Sequence, residues 1–279
     1  MKRVFVIITV VLTMTTFSFG QQKAANRVLE EGKLLYRLEK ASWHSTDFFL
    51  ENFPHKTEFV GGYVSYPSGQ NQVITAFFER GNPSRILARF EFDGQPQGNP
   101  TRIDTLNKVA SSREMDLITL KLDAVQKVTE NENDFFTFYE NTSFNFIPLI
   151  ENGTRRVFIL TAPKVHNVIL IGNDYLLTYN NRNRFVKKEK LHNSILQFQG
   201  KSDDPEKPIT STFHSHVLSD LITSTDICTL LLYKEFVEWK QHYVISKKYV
   251  SIFNLETEYL HVMKRKVWDQ INELQNNRK

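Results

Sequence analysis

Thr212-Phe213-His214-Ser215-His216 sets two imidazoles two residues apart at the end of a strand-like run. Residues i and i+2 of a strand share a face, so both rings project the same way. Ten residues past His216, Asp226 falls in the first turn of a helical segment that opens near Ser224. Two histidines and a carboxylate form a three-ligand set for catalytic zinc, leaving a fourth position for water. Water held this way is acidified towards neutrality and can attack a polarised carbonyl. A nearby carboxylate is also needed to move the proton. A plainer account stands beside this one. Thr223 and Asp226 also have the spacing of a helix capping box, and a His-x-His pair on a strand can be exposed or hydrogen-bonded without any metal.

The stretch resembles the JAMM/MPN metallopeptidase family, whose zinc motif runs His-x-His, seven residues, then Ser-x-x-Asp. His214-Ser215-His216 matches the first part, and Thr223-Ser224-Thr225-Asp226 supplies the last with Thr for Ser. The resemblance covers about residues 209–255, where a strand leads into the histidines, a helix starts at the aspartate, and the strand Tyr243-Val244-Ile245-Ser246 follows. It implies zinc on His214, His216 and Asp226, with Thr223 or Ser224 assisting the substrate oxyanion. It also implies a peptide or protein substrate cleaved by a zinc-dependent peptidase or isopeptidase. Three departures accompany it. Six residues separate His216 from Thr223, one short, and Val217 stands where the family has proline. The family's general-base glutamate has no aligned counterpart, and Glu151 and Glu189 are candidates by position alone. A site that keeps its metal and lacks its base binds zinc without hydrolysing anything. The alternative is therefore a catalytically inactive binding or structural protein of the cell envelope.

Other chemistry-bearing residues carry less. His192, in Lys190-Leu191-His192-Asn193, is placed to approach the histidine pair from a neighbouring strand or to stay on the surface. His242 opens a strand beside Trp239 and reads as a packing residue. His44 beside Trp43, and the pairs Phe48-Phe49 and Phe135-Phe136, read as core or interface aromatics. Cys228 lies in the apolar helical run Asp226–Leu232 and reads as a buried, inert thiol. Arg182, Arg184, Lys187, Lys188 and Lys190 form a basic hairpin with a solvated face.

Alternation and punctuation give the elements that must position these side chains. Val28, Leu29, Leu34, Leu35 and Leu38 recur at helical spacing, and strands follow over residues 59–66, 73–78 and 86–92. Ser111 and Glu114 are spaced as a capping box ahead of a helix whose apolar face is Met115, Ile118, Leu122 and Val125. Beyond residue 144 the pattern predicts strands over 157–160, 168–171, 175–179, 195–198 and 209–213. It then predicts a helix over 224–239, strands over 243–246 and 249–253, and a last helix carrying Val267, Trp268, Ile271 and Leu274. The fold class is α+β, antiparallel or mixed sheets with flanking helices, the C-terminal half JAMM/MPN-like. The expected division is a signal peptide over 1–20, an α+β region over 21–143, and an α+β domain over 144–279 that carries the histidine pair.

The compartment follows from the first residues and from the cysteine count. Met1-Lys2-Arg3 precedes an apolar run, Val4–Phe19, diluted by four threonines, and Ser18-Phe19-Gly20 offers small residues at a cleavage point. This reads as a secretory signal peptide, with the mature chain soluble, secreted or periplasmic, and not inserted in a membrane. A single cysteine suits export from a bacterium better than a disulfide-rich eukaryotic route. The 279 residues carry 35 Lys+Arg against 31 Asp+Glu, a net +4 to which Lys2 and Arg3 contribute. So balanced a charge excludes a general nucleic-acid binder, and 41% hydrophobic residues exclude a disordered chain.

Overall fold

The computed structural model of the chain describes residues 21–69, 71–106 and 108–275. The expected signal peptide, residues 1–20, lies outside the described residues. The chain divides into two compact units, one of residues 34–198 and one of residues 1–33 together with 199–279. Position 144 lies inside a strand of the first unit. Both units combine helices with antiparallel or mixed sheets, so the fold is α+β. No helix among the described residues is long and apolar enough to cross a membrane.

In the unit 34–198, the helix α1 (Lys2–Asn52) contributes its residues from Leu34 onward. An antiparallel meander follows, of β1 (Val60–Ser68), β2 (Gln72–Glu79), β3 (Asn82–Asp93) and β4 (Arg102–Asp104). Phe49 of α1 stacks on Phe77 of β2 with ring centres 4.7 Å apart. The helix α2 (Ser112–Glu130) opens on the expected capping box: Glu114 N–H donates to Ser111 Oγ, and Ser111 N–H donates to Glu114 Oε2. Its buried face differs from the expected one, because Leu122 and Val125 are exposed. Leu117 and Ile118 pack with β1, β2 and β3, whereas Leu120, Ala124 and Val128 pack with the second sheet. A helix held between two sheets buries two stripes, so a single amphipathic stripe does not describe it. The second sheet contains β5 (Thr142–Glu151), β6 (Thr154–Pro163), β8 (Tyr175–Tyr179) and β9 (Phe185–Lys190), antiparallel in that order. Between β6 and β8 the chain forms β7 (Val168–Gly172), which pairs with β10 (Ile195–Gln199). The basic hairpin is a turn and the solvent-facing strand β9.

The other unit holds the histidine pair. Its sheet has the order β11 (Ser211–Ser215), β12 (Gln241–Ile245), β13 (Tyr249–Asn254) and β14 (Tyr259–Lys264). β11 and β12 are parallel, and the remaining pairs are antiparallel. Parallel neighbours need a crossover, and the helix α3 (Ser224–Tyr233) supplies it. A last helix, α4 (Arg265–Asn276), follows β14 directly. α3 ends six residues short of the expected Trp239. The segment after it bonds elsewhere: Glu238 N–H donates to Gly200 O and the Trp239 indole N–H to Gln199 O. Those bonds turn the chain back towards β12 and outweigh helix propagation. α3 is buried from Ser224 through Leu232. Gly32 of α1 lies so close that a Cβ there would come within 2.6 Å of Ile227 Cβ.

Candidate metal centre

β11 delivers the histidines by simple alternation. Thr212 and His214 are buried on one face, Phe213 and Ser215 are exposed on the other, and His216, next on the buried face, follows. His216 N–H donates to Ile245 O at 2.9 Å, which carries the ladder with β12 one step past the strand and fixes the second ring. Asp226 is delivered by the N-terminus of α3. Thr223 caps that helix: Asp226 N–H donates to Thr223 Oγ1 at 3.1 Å, and Thr223 N–H donates to Asp226 Oδ2 at 2.9 Å. The capping box and the ligand set are therefore not rivals. The box aims the Asp226 carboxylate at the strand that carries the histidines.

The three side chains converge. His216 Nε2 lies 3.2 Å from Asp226 Oδ2, and His214 Nε2 lies 3.9 Å from Asp226 Oδ1. Donor atoms around a tetrahedral ion with bonds of about 2.1 Å sit about 3.4 Å apart, and the two observed distances bracket that edge. The ligand atoms of all three residues fall within 4.8 Å of one another, and all three residues are buried. This buried histidine and aspartate group could hold a metal ion.

The opposite ring nitrogens reinforce the geometry. His216 Nδ1 lies 2.9 Å from the Leu221 carbonyl and 2.8 Å from Ser219 Oγ. A carbonyl only accepts, so Nδ1 bears the hydrogen there and Nε2 is the nitrogen turned towards Asp226. His214 Nδ1 lies 2.7 Å from His242 Nε2, and His242 Nδ1 lies 2.7 Å from Thr212 Oγ1. With His214 Nε2 committed to a cation, His214 Nδ1–H donates to His242, which in turn donates to Thr212. His242 is fully buried between the His214 and Trp239 rings. Burial first, and the neighbouring His214 second, push its pKa down to about 3, so it stays the neutral acceptor this chain requires. A partner on the far nitrogen fixes tautomer and orientation at metal-binding histidines. The sequence reading of His242 as a packing residue thus omitted its second role. The signal for that role is the parallel register that sets Thr212 opposite His242, which no local pattern reveals.

The remaining candidates fall as follows. Thr223 Oγ1 accepts the helix N–H and lies 3.0 Å from Thr225 Oγ1. Ser224 is the first, buried residue of α3. Cys228 is buried in the same helix. Glu151, Glu189 and His192 belong to the unit 34–198. There His192 is buried, with Nδ1 3.6 Å from Asp174 Oδ2. The metal-competent group contains one carboxylate, that of Asp226. In comparisons with protein-family models, curated proteins and solved structures, the chain matches none.

Proposed function

We propose that His214, His216 and Asp226 bind zinc, and that the protein is an exported zinc-dependent peptidase or isopeptidase with an altered JAMM-type motif. The observation that carries this reading is the pair of Nε2 atoms brought to a tetrahedral edge length from one carboxylate, each ring tethered through its other nitrogen. Imidazole and carboxylate ligands suit zinc, which when bound acidifies a water and polarises a carbonyl. Asp226 and the two histidines hold the ion, and His242 and Leu221 keep the rings turned towards it. Thr223 or Ser224, at the positive end of α3, donates to the oxyanion that forms on the substrate carbonyl. The family resemblance also calls for a glutamate as the base.

Zinc content of the purified chain from Gln21 tests the metal. One zinc per chain is expected, lost in His214→Ala, His216→Ala and Asp226→Ala. A protein that stays metal-free after zinc loading and dialysis at neutral pH sinks the reading. His192→Ala tests the further nitrogen suggested by the sequence; unchanged zinc affinity removes it from the ligand set. A chelator-sensitive peptidase assay on wild type and Asp226→Asn then tests turnover. A second reading, zinc binding without hydrolysis in a protein of the cell envelope, draws support from the single carboxylate in the group. It predicts bound zinc with no turnover in either form.

A further inference from the structure

The groove beside the proposed metal ligands has a charge pattern of its own. A cavity of about 620 Å³ has His216 in its wall, together with the loop 217–220, the β12–β13 turn and Arg265. A second hollow of about 730 Å³ shares Lys247, Lys248 and Arg265 with it and runs on along α4. Five lysine and arginine side chains line the two, against three carboxylates. Asp220 holds Lys248 at 2.7 Å and Asp269 holds Arg265 at 2.7 Å, whereas Lys247 and Lys266 are exposed. The turn carrying Lys247 and Lys248 is pinned: Ser246 Oγ donates to Asp220 O at 2.7 Å and accepts from Tyr249 N–H at 3.0 Å. The cations are therefore offered by a braced surface beside a residue of the centre.

We propose that this groove takes a peptide segment bearing spaced carboxylates, which Lys247 and Lys266 read as its backbone passes His216. The proposal rests on the metallopeptidase reading and supplies its substrate class, acidic peptides. The interleaved acids favour a peptide over other polyanions. Asp220 and Asp269 neutralise Lys248 and Arg265 and so break the surface into separated cations. Isolated carboxylates can match these, and a continuous phosphate backbone or an anionic bilayer matches them poorly. A concave channel also suits an extended chain better than a flat surface.

Fluorescence anisotropy on the zinc-loaded full chain tests this with three labelled decapeptides. They carry Asp/Glu, Asn/Gln or Lys at alternate positions. The acidic peptide is expected to bind at least tenfold tighter than its amide counterpart, with the difference shrinking as salt rises. The double variant K247E/K266E is expected to abolish the preference with zinc content unchanged. Equal affinity for acidic and amide peptides overturns the proposal. So does a preference that survives the double variant, or binding to phosphatidylglycerol vesicles or heparin with none to the acidic peptide. The two readings fail separately. Zinc bound without acidic preference removes the groove proposal alone, and acidic preference in a chain that never holds zinc removes the metal reading alone.

Discussion

Each ring at the proposed centre is held by a different device, His216 by a main-chain carbonyl and His214 by a second histidine. Replacing His242 by Gln keeps most of the volume and breaks the relay to Thr212. Zinc affinity is expected to fall about 10- to 100-fold, the usual loss when the hydrogen-bond partner of a metal-binding histidine is removed. A competition titration against a chromophoric chelator reads this directly, and an unchanged affinity denies His242 its orienting role. A second residue-scale test lies far from the histidines. Burial alone would raise the Glu114 carboxyl, but hydrogen bonds from Arg89, from Ser111 and from Tyr66 outweigh it and hold the pKa at about 2. A carboxyl depressed from its unfolded value of 4.5 adds stability that is complete above that value and is lost as pH falls towards 2. The loss is about 3 kcal/mol by linkage. Chemical unfolding of wild type and Glu114→Gln between pH 7 and 2 should show the wild-type slope flattened in the variant. The proposed ligands were legible because alternation and a cap are local signals, written within fifteen residues. His242 was not, since its role depends on a pairing across 28 residues.

At the scale of elements, a close approach of backbones seats α3. Gly32→Ala would press a methyl against Ile227 Cβ and the Ser224 carbonyl, neither a flexible chain end. A loss of about 1–3 kcal/mol is expected from such overpacking. Because Ser224 opens the helix that aims Asp226, zinc affinity should fall with it. Equilibrium denaturation and zinc titration on the same variant check both, and wild-type values in both deny the contact its role. At the other helix with a full capping box, Ser111→Ala should cost about 1 kcal/mol by circular dichroism-monitored unfolding. Most strands and the starts of α2 and α3 were readable from alternation and from Ser111, Thr223 and their partners, but β4 and β5, set by pairing with β3 and β6, were not. The end of α3 and the strand β14 were not, because Glu238 and Trp239 are decided by bonds to residues 199–200 and β14 by pairing with β13. The buried face of α2 escaped for the same reason, two sheets competing for one helix.

For the whole molecule, the proposed zinc site would link metal binding to folding. Zinc at a hundred times its dissociation constant adds about 2.7 kcal/mol to whatever binds it. Hydrogen exchange with and without chelator should therefore show protection gained at β11, β12 and α3. Uniform profiles in both conditions contradict a site built on those elements. The unit carrying the centre is assembled from the two ends of the chain, residues 1–33 and 199–279. A polypeptide made or threaded N-terminus first exposes the Gly32 side of α1 long before Ile227 arrives to cover it. Residues 34–198 can meanwhile complete their own core. The last strands to appear, β12 to β14, close the sheet on which the histidines stand. The proposed centre can thus form only after β12 and α3 have followed the early helix, and an interruption between residues 198 and 227 leaves that helix waiting for its partner.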